Sequence, residues 1–449
     1  MSAGVGRRSA DSQARGREAR EAMPRRRLAE HVVTTGRPGP VDLLHSSDAG
    51  REVELLPLKY ERMSVSAFAF YRGFAAMHAY DLGQGPSTGV HAQLCGDMHL
   101  SNFGVYASPE RRLLFDVNDF DETHPGPFEW DVKRLVTSFA VLGRTRGFSA
   151  ATTGGAVLAA ASAYRTRMQQ LASMNHLSVW YDRIDEDLLR DMAASMAGNR
   201  GRKNLDANLI KARGKTHARA AAKLTEIVDG RRRFRTDPPL LVPVEGTTAE
   251  VAGLQGVVQR YRSTLSADRG QLLQRYRVID IARKVVGVGS VGTRCWVLLL
   301  EGRDPEDLLV LQAKETGPSV LEPYTRRSRF RHHGRRVVEG QRLMQAASDI
   351  FLGWANGLEA TRQFYVRQLH DMKGGIDTER ITPTGLTPYA SLCGMALAQA
   401  HARGGDASAI ATYLGSGDRA DRSFAQYAEA YADQNESDFA AFMASRNAS

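Results

Sequence analysis

The sequence predicts an α+β fold in which helix-forming and strand-forming stretches are segregated along the chain. Two observations predict it. Between residues 131 and 275 apolar side chains recur mostly at helical spacing. Between 278 and 314 three short apolar runs alternate with turns built on glycine and Asp304-Pro305. At 449 residues the chain is long enough for a large core and two or three domains.

Taken in order, residues 1–40 are rich in Arg, Ala, Gly and Ser and poor in apolar side chains, so a disordered basic tail is expected there. Ser66 to Leu82 reads as one amphipathic helix carrying Phe68, Tyr71 and Phe74 on one stripe. Within it, Arg72 either faces a phosphate or is an ordinary exposed or paired arginine. Val90 to Leu94 alternates like a strand. Asp131 is placed to cap a helix from Val132 to about Arg144. Helical patterns follow at Ala150–Ser173, Asp185–Ala197, Thr216–Asp229 and Thr248–Arg275.

The period then changes. Strands are expected at Val278–Val286, Trp296–Leu300 and Leu308–Ala313, with Gly287, Gly289, Ser290 and Gly292 in the first turn and Lys314 ending the third run. A helix from about Arg335 to Trp354 carries Glu339 in its first turns. Gln363–Leu369 is a further strand, and Tyr389–Arg403 and Ala407–Met443 are helical. The resulting division is a tail (1–40), a helical lobe (41–275), a small β-rich lobe (276–369) and C-terminal helices completing the large lobe (370–449).

Composition narrows the function. No apolar run reaches eighteen residues, so no membrane span is expected, and the first forty residues lack the apolar stretch of a secretory signal. Cys95, Cys295 and Cys393 lie too far apart for a zinc site or a disulfide framework, which makes a reducing cytoplasm the simplest location. The formal charge of +10 comes largely from residues 1–40 and 200–235. Those stretches lack interleaved aromatics, so solvated arginines are preferred to a nucleic-acid surface.

The chemistry concentrates between Gln93 and Arg134. Asp97 and Asn102 share a short loop, and a strand-like run then leads into Asp116, Asp119 and Asp121. So many acids in one loop repel each other unless a cation or a proton-transfer role offsets them. Phosphoryl transfer to a hydroxyl needs one carboxylate to accept the proton. It also needs an amide oxygen and a second carboxylate, from Asp119 or Asp116, to hold Mg²⁺. The glycine turn lies between two strands, so it is no dinucleotide fingerprint, yet it lets backbone N–H groups approach phosphates. Lys314 followed by Glu339 on the next helix completes a nucleotide clamp if the two side chains pair.

These residues carry a resemblance. CGDMHLSNFG and NDFDETHPGPFEWDVKRL resemble the G-D-x-H-x-x-N and D-F-D motifs of the aminoglycoside phosphotransferase and choline kinase branch of the protein-kinase-like superfamily. Over about 45–440 the chain also resembles a bacterial family known only as a domain of unknown function. The kinase resemblance implies a two-lobe fold, ATP and Mg²⁺ as cofactors, and a hydroxyl-bearing acceptor. It implies Asp97 as catalytic base, Asn102 and Asp119 as magnesium ligands, with Asp116 a second candidate, and His99 and Asp131 as braces of the loop. It further implies Gly287, Gly289, Ser290, Gly292, Lys314 and Glu339 around the nucleotide. Two features depart from the pattern. Cys95 replaces the usual His. The glycine turn also follows the catalytic loop instead of preceding it, which implies either a circular permutation or, at 278–314, an unrelated β-hairpin module.

The same clamp would serve nucleotidyl transfer, which stays open. A metal-dependent phosphoesterase is a further alternative through Asp97-x-His99, although no second segment of that kind supplies the ligands two-metal hydrolysis needs. The remaining alternative is a non-catalytic nucleotide- or nucleic-acid-binding protein. The acceptor itself is not readable.

Overall fold

Strand and helix alternate in the computed structural model largely where the periodicities change, and the architecture is α+β with antiparallel sheets. The structure describes residues 3–215, 217–244, 256–359, 361–369 and 372–447. Arg277–Lys284, Cys295–Glu301 and Leu308–Glu315 form an antiparallel meander. Gln363–Gln368 and then Gly353–Asn356 extend it on one side, and Leu241–Pro243 on the other, giving six strands. Lys314 lies inside the third strand of the meander, opposite Cys295 on one neighbour and Tyr365 on the other. Cross-strand partners share a face of the sheet, so these three side chains rise together.

Against that sheet stands a helical mass with the largest apolar core. Its centre is the helix Glu129–Thr145, buried on nearly every side. Ala150–Ala172 and Pro383–Gly404 cross closely beside it, because a side chain at Gly394 would strike the carbonyl oxygen of Ala160. A small antiparallel sheet of Phe103–Ala107 and Leu113–Val117, edged by Ile184–Asp185 and Gly374–Gly375, presents the acidic loop.

Several expectations are corrected. Residues 1–40 are not an unstructured tail in the described part. Ala3–Ala22 is a helix, and Met23 and Leu28 are buried. The arginines are used as donors: Arg20 and Arg25 cap the carbonyls of Tyr413 and Leu414, and Arg37 bridges Asp81 and Asp438. The helix expected at Ser66–Leu82 breaks at Phe74 into Ala67–Gly73 and Ala75–Gln84. Of the helix expected at Thr216–Asp229, Thr216 lies outside the described residues, and the described part is helical only at His217–Leu224. Asp229-Gly230, both at positive φ, then turn a hairpin of Thr225–Val228 and Arg231–Phe234. Asp131 is not a cap, since the helix begins at Glu129. The helix bearing Glu339 ends at Met344, and Gly415 at positive φ divides the C-terminal helix. Asp185 caps a helix that runs on to Arg213, well beyond the expected Ala197. Of the helix expected at Thr248–Arg275, residues 248–255 lie outside the described residues, and 256–262 and Ala267–Leu273 are helical.

Candidate functional site: a lysine–carboxylate cleft

The loop bearing Asp97 is held by the buried helix behind it. The Asp131 carboxylate accepts from the backbone N–H of Cys95 at 2.6 Å and of Gly96 at 3.0 Å. His401 lies 3.3 Å from the same carboxylate and is itself held by Tyr164. Gly96 sits at φ +86°, and a Cβ there would collide with the backbone of Glu122. Only glycine lets the two loops touch at this point. Cys95, where the resembled pattern has His, donates through Sγ to the carbonyl of Asp119 at 2.9 Å. The thiol therefore ties the Asp97 loop to the acidic loop, and burial pushes its pKa well up.

Asp97 faces a cavity of about 630 Å³ that Asn102, Asp119, Asp121 and the glycine turn also line. One of its oxygens is bound by the buried Arg134, from Nε at 2.6 Å. His99 does not reach it in hydrogen-bond range, lying 3.8 Å from the other oxygen. Instead His99 accepts from Ser101 N–H at 3.2 Å, and burial holds the ring neutral. Asn102 donates its side-chain NH₂ to the Asp97 carbonyl at 2.7 Å, which leaves the amide oxygen for another partner.

Lys314 meets this loop from the sheet. Its ammonium is ion-paired with Asp121 and lies 3.8 Å from Asp119, although the residues are 193 or more positions apart. Tyr365 donates to the other Asp121 oxygen. Burial pushes the Asp121 carboxyl up, but Lys314 and Tyr365 outweigh it and hold it below the usual carboxylate range. Asp119 moves the other way: burial and then the neighbouring Asp121 raise it. Its Oδ1 is buried with no hydrogen-bond partner among the described residues. That oxygen already faces the Lys314 ammonium at 3.8 Å, and with no hydrogen bond of its own it could also take a metal cation. No three His, Cys, Asp or Glu side chains are grouped to hold a metal among the described residues.

The glycine turn lies over this cluster. Gly287 and Gly292 have positive φ, and Ser290 Oγ is 3.5 Å from Asp121. The turn's carbonyls are held from outside: Arg51 binds those of Gly289 and Val291, Arg62 that of Gly287, and the N–H of Glu52 that of Gly292. The N–H groups of Gly289 and Ser290 make no hydrogen bond among the described residues.

Two assigned residues do not join the cluster. Glu339 pairs with Arg335 at 3.5 Å on its own helix, not with Lys314. Asp121 takes the place expected of it, while Arg336, one turn earlier, points inward onto the carbonyls of Asp121, Thr123 and Gly317. Asp116 is 2 % exposed and turned away from the cleft, accepting from Ala346 N–H at 2.9 Å with Arg403 at 3.7 Å. It fastens the end of a helix and is not a metal ligand. Alternation along Leu113–Val117, buried throughout, left its direction unreadable.

Sequence reasoning missed a second cavity of about 400 Å³ that shares Asp119, Gly287 and Ser290 with the first. Lys215, Lys284, Lys314, Arg367 and Lys373 line it. Lys215, Lys284 and Lys373 pair with no carboxylate among the described residues. Burial, then Arg367, lowers the Lys373 pKa to about 7. These lysines lie on separate segments without any shared motif, so only the fold collects them.

A family model described as an uncharacterized protein conserved in bacteria (DUF2252) matches residues 51–445. No curated protein and no solved structure matches the chain. Among the described residues no helix is long and apolar enough to cross a membrane.

Proposed function

The chain belongs to this bacterial family, and from its site we propose that it is an ATP- and Mg²⁺-dependent phosphotransferase acting on a hydroxyl acceptor. The observation that carries the reading is the meeting of Lys314 with Asp119 and Asp121 beneath a glycine turn, across 193 residues of intervening chain. Glycine turn, strand lysine, catalytic-loop aspartate and metal-binding aspartate are the parts a kinase-like site uses. The order in the chain is then that of a permuted kinase-like fold. The helix Pro383–Gly404 supports it: it ends beside the strand that enters the Asp97 loop, with Gly405 bridged to Ala92.

In this reading the acceptor oxygen attacks the γ-phosphorus, and a new O–P bond forms as the bond from that phosphorus to the bridging oxygen breaks. The hydroxyl proton passes to Asp97, and ADP leaves. Arg134 orients the Asp97 carboxylate and leaves one oxygen toward the cavity. Lys314 and the free N–H groups of Gly289 and Ser290 receive phosphate oxygens. Asp119 and the Asn102 amide would hold Mg²⁺, which supplies charge neutralisation on the phosphates when bound. The three buried free thiols fit a reducing compartment.

A second reading, nucleotidyl transfer, is favoured by the lysine-lined second cavity, which suits pyrophosphate as leaving group. ATP labelled at either the α- or the γ-phosphate, incubated with the protein and a bacterial metabolite extract, separates the two. The expected product carries γ-label, does not carry α-label, and is absent with Asp97→Asn. An α-labelled product would favour the second reading, and no Asp97-dependent product would remove both.

A further inference from the structure

The first cavity holds a half-buried cation that touches no carboxylate, Asp97 acting on it only from a distance. Arg72, in the last turn of the helix Ala67–Gly73, lines the same cavity as Asp97. Its Nε is buried with no hydrogen-bond partner, and its guanidinium pairs with no carboxylate among the described residues. Its one ring contact is distant, 5.7 Å over Phe68.

The other cations around the cavity are occupied. Arg51 is committed to Asp48 and to the glycine-turn carbonyls. Arg336 is committed to three backbone carbonyls, and Arg362 to Glu315 and Glu359. Arg134 already binds Asp97. A partly desolvated guanidinium with no anion in contact costs free energy that a bound anion would offset. Planar guanidinium matches carboxylate and phosphate in two-point contact.

We propose that the acceptor carries an anionic group, phosphate or carboxylate, which Arg72 binds while the hydroxyl faces Asp97. This rests on the phosphotransferase reading and names its substrate class. It also sets the chain apart from enzymes that take cationic acceptors, since choline or an aminoglycoside would bring like charge to Arg72. The alternative source of the anion is the terminal phosphate of the nucleotide itself.

The test uses the full chain as wild type, Arg72→Met and Arg72→Lys. Glycerol 3-phosphate and inorganic phosphate are the probes, with glycerol and choline as controls, titrated by calorimetry. The protein is first saturated with Mg²⁺ and an unreactive β,γ-imido analogue of ATP, which fills the terminal phosphate position. The expected result is binding of both anions to wild type, at least tenfold weaker in Arg72→Met and partly retained in Arg72→Lys, and no binding of glycerol or choline. Ligand-free Arg72→Met should melt no lower than wild type, because the charge removed had no partner. Equal anion binding in wild type and Arg72→Met overturns the proposal. So does phosphate that binds ADP-loaded but not analogue-loaded protein, which would assign Arg72 to the nucleotide. If the analogue fails to bind wild type, the phosphotransferase reading falls and the acceptor role with it. Arg72-dependent binding of inorganic phosphate to the nucleotide-free chain would then preserve the anion site alone.

Discussion

Lys314→Met separates what the lysine does for the fold from what it does for a ligand. Lys314 is 4 % exposed, paired with Asp121 and 3.8 Å from Asp119. Met keeps the length and removes the charge. Two carboxylates would then share one buried pocket with Arg367 as the remaining cation nearby. Breaking a buried pair from one side is destabilising by about 3–5 kcal/mol. Removing both partners is far milder, so Lys314→Met/Asp121→Asn should recover most of that loss. Binding should behave differently. A charge-assisted bond to phosphate contributes about 1.5–3 kcal/mol, which corresponds to roughly 10–150-fold in ATP affinity. The double variant should stay as weak a binder as the single one. Scanning calorimetry reads the stability, and titration with ATP–Mg²⁺ reads the affinity. The sign with pH follows from Asp121. Its folded pKa is depressed, so its contribution is present above the unfolded carboxylate pKa and is lost as pH falls through the folded value. The gap between Lys314→Met and wild type should therefore narrow in acid. A double variant as unstable as the single one, or single-variant ATP affinity equal to wild type, would refute this reasoning.

Other perturbations test separate parts of the site. Lys373, lowered to about 7 by burial and Arg367, is largely neutral at pH 8 in the free protein. A polyphosphate in the lysine-lined second cavity should raise it again, so ATP binding at pH 8 should take up a proton. Calorimetric enthalpies in buffers of different ionisation enthalpy would register that uptake, and Lys373→Met should abolish the dependence. The same depressed pKa makes stability rise with pH from about 7 toward the ordinary lysine value, because there the unfolded chain binds the extra proton. Glu339→Ala should leave ATP affinity within twofold of wild type, since Glu339 pairs with Arg335 and not with Lys314; a tenfold loss would restore it as the lysine's partner. Gly96→Ala should lower the melting temperature markedly, since positive φ and contact with the Glu122 backbone combine there. Unchanged melting would show that the loop yields cheaply.

Much of this cleft was legible from local pattern, and the limits have physical causes. The strand–turn–strand run and the position of Lys314 follow from apolar runs broken by glycine, a short-range signal. The meeting of Lys314 with Asp119 and Asp121 is a tertiary contact that no local spacing encodes. Glu339 failed because helical periodicity tells which residues share a face, not which face meets the sheet. Arg336, one turn away, is the residue that does. Asp131 lies beneath the loop, as the resemblance implied, and is not the cap that the local pattern suggested. A capping residue and a third-position acid look alike in sequence, and only the backbone N–H groups of Cys95 and Gly96 distinguish them. The basic head misled because arginines that cap helix carbonyls resemble arginines that face water. Burial of Met23 and Leu28 was too sparse a signal to override composition. The lysine cavity was invisible because its members come from four distant segments.

The most direct measurement is titration of ATP, with and without Mg²⁺, into wild type and Asp119→Ala. The Asp119 oxygen that faces Lys314 without a hydrogen bond predicts one saturable site whose affinity needs the metal in wild type and loses that need, along with most of its strength, in the variant. Heat that is absent with ATP and Mg²⁺, or identical in the two proteins, would contradict the nucleotide cleft itself.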